Sequence, residues 1–185
     1  CKSLWSTRLP QHTRFATGSR DGRLILVAGA GGEFLLRDVL SGADRRPDLG
    51  VLWPSSVAFS PDGSRFSVGS YSGFVKLFQT STLKEMATFR GFLQGLHSVA
   101  FSPDGRRLAT GGGGFEAVRL WDIETGQPLF TLEAKGSVFN QTTFSPDGNL
   151  LGSSSGLGGL HIWRAPGWKE ITRAENSSSP ASGFN

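Results

Sequence analysis

The tetrapeptide Ser-Pro-Asp-Gly begins at Ser60, Ser102 and Ser145, and a close variant, Ser-Arg-Asp-Gly, begins at Ser19. The aspartates of these copies, Asp21, Asp62, Asp104 and Asp147, are separated by 41, 42 and 43 residues. Each copy predicts a tight turn. Proline presets φ at the first central position, aspartate bonds nearby backbone, and glycine accepts the left-handed geometry that other residues resist. In residues 98–122, Val99 and Phe101 alternate with Ala100 and Ser102 as in a half-buried strand, and the turn stops them. A second strand resumes at Leu108, the run Gly111 to Gly114 breaks it, and Ala117 to Trp121 alternate again as a third. A period of about 40 to 45 residues with four short strands in each is the pattern of propeller blades, whereas sandwiches space their strands without repeating the turn chemistry.

Composition narrows the function classes. The formal net charge is +4, but the longest basic runs are pairs, Arg45-Arg46 and Arg106-Arg107, so neither a nucleic-acid nor a membrane patch is read here. The single cysteine, Cys1, excludes an intrachain disulfide and a cysteine-based zinc site. No apolar run approaches the roughly 20 residues of a membrane span, and a cytoplasmic location is the expectation. With 26 glycines and 14 phenylalanines, the chain suits a turn-rich β protein packed through aromatic side chains.

The copies differ in fidelity. Residues 11–50 form a degraded unit, with Arg23 to Val27 and Glu33 to Asp38 as strands and 43–50 as a weak edge strand or loop. Residues 51–91, 92–134 and 135–175 are fuller units, whose fourth strands are expected at 83–89, 128–132 and 168–174. Residues 1–10 read as the outer strand of a preceding blade, and 176–185 as a disordered tail too small and polar to pack. A strand at each end suits an open segment of a larger ring, the C-terminal part of a longer chain.

The three Ser-Pro-Asp-Gly turns and Leu120-Trp121-Asp122 make the chain resemble the WD40 repeat family, in its divergent, bacterial-like form. That resemblance implies an all-β propeller of about four four-stranded blades, and a scaffold for other proteins. Repeats of this family carry a hydrogen-bonded histidine, Ser/Thr, aspartate and tryptophan, which here is mostly broken. Thr110 with Trp121 and Ser153 with Trp163 match part of it. The second unit offers Ser67 and Phe78, and the first Val27 and Arg37. The blades are therefore expected to rely on packing more than on buried polar networks, which help only when fully satisfied. The structural motif set comprises Phe59, Pro61, Asp62 and Gly63; Phe101, Pro103, Asp104, Gly105, Thr110 and Trp121; and Phe144, Pro146, Asp147, Gly148, Ser153 and Trp163. Phe59, Phe101 and Phe144 are expected as wedges between blades.

No catalytic constellation emerges. Gly111 to Gly114 lies between two strands, with no helix N-terminus to receive a phosphate. His12, His97 and His161 show no ligand spacing, so no metal or cofactor is expected. The repeated aspartates serve identical turns, whereas an acid–base pair needs two carboxylates in unlike environments. The expectation is a non-catalytic scaffold whose partners are other proteins, with open blade faces available for self-association. A propeller that regulates an upstream enzyme such as a protein kinase is the alternative, and a propeller enzyme a more remote one. Trp5, Trp53, Phe92 and Phe115 do not recur in register and are the candidates for exposed contacts. Among the loops that carry contacts, 90–94 and 113–116 stand out, and Phe92, Phe115 and Glu116 are the partner-binding candidates.

Overall fold

The computed structural model describes residues 9, 12–91, 94–114, 117–136 and 138–165. Within them the chain is all-β. The first sheet holds β1 (Thr13–Gly18), β2 (Leu24–Gly29), β3 (Phe34–Asp38) and β4 (Asp44–Arg45). The second holds β5 (Pro54–Phe59), β6 (Arg65–Ser70), β7 (Phe74–Gln79) and β8 (Glu85–Arg90). The third holds β9 (Leu96–Phe101), β10 (Arg107–Gly112), β11 (Val118–Asp122) and β12 (Pro128–Leu132). The fourth has three described strands, β13 (Phe139–Phe144), β14 (Leu150–Ser155) and β15 (Leu160–Arg164). Every sheet is an antiparallel meander in sequence order. The strands expected within 1–10 and at 168–174 fall, apart from Leu9, outside the described residues.

The inner strands pack in series, β1 on β5, β5 on β9 and β9 on β13, as blades around an axis. The sheets do not close into a ring among the described residues. One apolar cluster fills each interface. Leu26, Phe34 and Leu36 meet Phe66, Val68 and Phe78 between the first two sheets. Val75, Leu77 and Phe89 meet Leu96, Leu108 and Trp121 between the second and third. Ala109 and Val118 meet Phe139 and Leu151 between the third and fourth. Each buried aliphatic or aromatic side chain there stabilises by about 1.5–3 kcal/mol relative to exposure.

At two of the interfaces the sheets approach closely where a side chain is missing. A Cβ on Gly111 would lie 2.5 Å from the Phe139 carbonyl oxygen and 3.0 Å from Thr142 Oγ1. A Cβ on Gly69, at the same place in the second sheet, would collide with the Leu96 side chain. Across the interface beside Gly111, Ser98 Oγ donates to the Phe139 carbonyl (2.9 Å) and contacts Thr142 Oγ1 (2.7 Å), which contacts Ser153 Oγ (3.2 Å). Buried hydroxyls thus join the third and fourth sheets, a polar link beside the apolar packing on which the blades were expected mainly to rely.

Register places a repeated apolar pair on the front of every sheet: Phe34 and Leu36, Val75 and Leu77, Val118 and Leu120, Leu160 and Ile162. The first three pairs are covered by the next sheet, whereas Leu160 and Ile162 are 68% and 63% exposed. On the rear of the first sheet, Val27 and Leu35 are buried.

Two glycine substitutions separate close approach from backbone strain. Gly126 has φ +72° with nothing near its missing Cβ, so Gly126→Ala should cost about 1 kcal/mol from backbone strain alone. Gly111→Ala should cost about 3 kcal/mol, because it overpacks the interface and breaks the hydroxyl link. Urea denaturation of both variants measures the difference, and equal costs would contradict the close-approach account.

Candidate functional site: the turn end and the loop end

The four turns share one hydrogen-bonded construction. In each, the glycine N–H donates to the serine carbonyl at 2.9 Å, for Gly22, Gly63, Gly105 and Gly148 alike. These glycines have φ between +69° and +74°, the left-handed residue that closes a hairpin after a type I turn. The serine hydroxyl then ties the turn to the strand beyond it. Ser60 Oγ–H donates to Asp62 Oδ1 (2.6 Å), while Ser60 Oγ accepts from Arg65 N–H (2.9 Å). Ser19, Ser102 and Ser145 accept in the same way from Leu24, Arg107 and Leu150, each at 2.9 Å. The first copy builds this turn although Arg20 replaces the proline, because serine, aspartate and glycine make its bonds.

The carboxylates respond to their donors. The Ser60 and Ser64 hydroxyls hold the Asp62 carboxyl down from its ordinary 3.8 to about 2. Hydrogen bonds led by Ser19 and Ser145 lower Asp21 and Asp147. At Asp104 burial pushes upward, and the Ser102 hydroxyl with the Arg106 N–H outweighs it. All four aspartates are hydrogen-bond acceptors with assigned partners inside their own turns.

The turns also stack from sheet to sheet. Pro61 Cδ lies 3.7 Å from where a Gly105 Cβ would stand, and Pro103 Cδ lies 3.5 Å from the same point on Gly148. Each proline therefore packs on the next turn's glycine. The inner strands border an open cavity of about 440 Å³ whose turn end is lined by Arg20, Pro61, Pro103 and Pro146. Phe59, Phe101 and Phe144 line it as well. Phe101 is buried in the cluster between the second and third sheets, whereas Phe59 and Phe144 are only half-buried.

Farther out, the sheets solve one position in different ways. Trp121 Nε1–H donates to Thr110 Oγ1 (2.9 Å), which donates to the Arg119 carbonyl (3.0 Å). In the fourth sheet Ser153 Oγ donates to the Gln141 carbonyl (2.8 Å), and Trp163 stacks on His161. In the second sheet Phe78 stacks on Phe66 at 5.1 Å. There register puts Val68, not Ser67, at the place of Thr110, which corrects the sequence match by one residue. In the first sheet Arg37 fills the tryptophan place and pairs with Asp44 through two hydrogen bonds of 2.6 and 2.8 Å.

The opposite end of the inner strands carries the loops between and within sheets. Loops 90–95 and 112–117 touch there: a Gly113 Cβ would lie 2.9 Å from the Gln94 carbonyl oxygen, and a Gly114 Cβ 2.8 Å from Gln94 Oε1. Phe92, Phe115 and Glu116 lie outside the described residues, as does Trp5. Trp53 is described at this end, and its side chain is 63% exposed. Its φ of +49° is left-handed and matches His12 (+53°) and Gly95 (+81°), each directly ahead of an inner strand. A left-handed backbone costs a non-glycine residue about 1–2 kcal/mol. Among the described residues no group of three or more His, Cys, Asp or Glu side chains gathers as a metal site.

A family model described as "WD domain, G-beta repeat" matches residues 51–79, 83–122 and 126–164, more than half of the chain. A mouse protein named Telomerase protein component 1 is 33% identical over 110 residues, 60% of this chain and 4% of that protein. The rat protein of that name is 31% identical over 110 residues, with the same shares. The chain therefore spans about 4% of the length of the curated relatives it matches.

Serine removal should expose the turn mechanism. Asp62 is depressed in the folded state, so its contribution is full above about pH 4 and is lost as pH falls through about 2. Ser60→Ala strands the Arg65 N–H, should cost about 1–3 kcal/mol at pH 7, and should flatten the stability change between pH 4 and 2. Urea titrations at several pH values test this, and an unchanged acid slope would contradict it.

Proposed function

The chain belongs to the WD40 repeat family, and from that premise we propose that it is a non-catalytic scaffold that binds other proteins through its loop end. The observation that carries the proposal is the meeting of loops 90–95 and 112–117 at Gln94, Gly113 and Gly114. These loops bear Phe92, Phe115 and Glu116 and are held by a packed frame, the setting in which binding residues concentrate. The turn end is taken up with internal hydrogen bonds. Similarity to proteins named as a telomerase component supports a part within an assembly.

A propeller enzyme would need unlike carboxylates or converging metal ligands, and no observation favours that reading. None favours control of an upstream kinase either. No helix among the described residues is long and apolar enough to cross a membrane, and a cytoplasmic setting belongs to the same proposal. Nucleic acid and membrane are not among the proposed partners.

Phe92→Ala and Phe115→Ala should weaken recovery of bound proteins at least several-fold in affinity capture from native lysate, with the melting temperature unchanged. Undiminished recovery by both variants would reject those positions. The front of the fourth sheet is proposed to self-associate through Leu150, Leu160 and Ile162, which are 40%, 68% and 63% exposed. The chain should then elute larger than a monomer or bind an apolar dye, and Ile162→Lys should reverse both. A compact monomer that leaves the dye dark would contradict this.

A further inference from the structure

Between the third and fourth sheets runs a groove of about 270 Å³, lined almost wholly by apolar atoms, those of Leu120, Phe130, Leu132, Leu151 and Trp163 among them. The hollow at the same place between the second and third sheets is instead rimmed by Arg65, Asp122 and Glu124, which suit water. Leu129 and Phe130, on the outermost strand of the third sheet, line the apolar groove and are 42% and 66% exposed. Such a surface calls for a cover.

The repeat shows where the cover comes from. The residues that follow the third strands, Val39, Thr80, Ile123 and Ala165, hold equivalent places. Each donates its N–H to the carbonyl just before the second strand, that of Arg23, Ser64, Arg106 and Asn149 in turn. Ile123 is 7% exposed and packs in one cluster with Leu77. Ala165, on the wall of the groove, is exposed and too short to do the same. Three residues farther on stand Gly42, Leu83, Gly126 and Trp168. Glycine thus follows the apolar Val39 and Ile123, whereas a large apolar residue follows Thr80 and Ala165.

Leu83 shows what that large residue does. The loop that bears it leans on the first sheet: Arg45, opposite Leu36, donates from Nη1 to the Ser81 carbonyl (3.1 Å), and Leu83 packs on the cluster between the first two sheets. Leu83 keeps a φ of +61°, a conformation that costs a leucine about 1–2 kcal/mol and that its packing offsets. Phe130 holds the place of Arg45, since it stands opposite Leu120 as Arg45 stands opposite Leu36. The segments also match, Leu83-Lys84-Glu85-Met86 against Trp168-Lys169-Glu170-Ile171, each beginning four residues beyond its third strand. Trp168 lies outside the described residues.

We propose that Trp168 seats its indole in the groove, against Phe130 and Trp163, so that the segment beyond Ala165 straps the third sheet to the fourth. An aromatic ring system supplies the large apolar area that Ala165 lacks. The groove is therefore filled by this chain's own residue and is not a site for an outside ligand. The seat goes beyond the scaffold reading, whose loops lie at the other end of the inner strands.

The test is fluorine NMR of the full chain labelled with fluorotryptophan, in which Trp53, Trp163 and Trp168 are each identified by the signal lost on change to phenylalanine. A soluble gadolinium chelate should broaden the Trp168 signal at least threefold less than that of Trp53, whose side chain is 63% exposed. Phe130→Ala should move the Trp168 signal and leave that of Trp53 in place. Free indole at millimolar concentration should shift Trp163 saturably in Trp168→Ala, and at least threefold less in the wild type. A Trp168 as accessible as Trp53, or indifferent to Phe130→Ala, would overturn the seat. Equal indole shifts in the two proteins would show a groove open to outside ligands, and protection of Trp168 that grows with protein concentration would place the indole on a second copy; either result overturns the proposal. If Trp168→Ala fails to fold, accessibility and the response to Phe130→Ala decide the matter, since neither uses that variant.

Discussion

The hydroxyl of the turn serine is the interaction on which the blades depend. In one atom it joins three things: the aspartate that shapes the turn, the N–H that starts the next strand, and the buried edge of the inner strand. A hydroxyl can donate once and accept twice, and Ser60 uses both capacities, donating to Asp62 and accepting from Arg65. The aspartate left outside then accepts from the residue two further on, so the turn is closed without any contact to another sheet. Once closed, it offers a flat proline and a bare glycine, and Ser19 beside Gly63, Pro61 over Gly105 and Pro103 over Gly148 turn four separate hairpins into a stack. Local closure and sheet-to-sheet packing are thus consequences of the same four residues.

The repeat was legible because the turn chemistry is written in contiguous residues. Asp62, Asp104 and Asp147 could be counted and subtracted, and Ser19 to Gly22 could be placed by period although Arg20 replaces proline. The serine's part was harder to see, since its bond to Arg65 spans five residues and reads as ordinary polar sequence. What lies between repeats left no local trace. Ser98, Thr142 and Ser153 meet only because Gly111 lets the third and fourth sheets close on one another. The one-residue slip from Val68 to Ser67 arose because both a serine and a valine stand in that strand, and only register tells which faces the Phe78 side. Trp53 was visible as an aromatic out of register, but its left-handed backbone and its exposure could be known only from the fold.

Division of labour between the two ends follows from these constraints. At the turn end each aspartate already has its donors, and the prolines and glycines are occupied with one another. The loop end instead presents Trp53, Tyr71 and the junction at Gln94, none of which closes a turn or fills an interface cluster. The fronts of the sheets add a third kind of surface. Phe34 and Leu36, Val75 and Leu77, and Val118 and Leu120 are covered in succession, and Leu160 with Ile162 continues the series into solvent. A repeated apolar pair calls for the same cover at every step, and the exposed one is the face proposed to self-associate.

Native-state hydrogen exchange at four amides tests the serine-centred account most directly. The N–H groups of Leu24, Arg65, Arg107 and Leu150 donate to the turn serines. If those bonds hold the blades together, these amides exchange only through the largest opening of the protein, with the same free energy as the buried amides of the second strands. Exchange at loop-like rates while the strands stay protected would show that the turns are decoration on sheets that hold themselves, and would contradict the account.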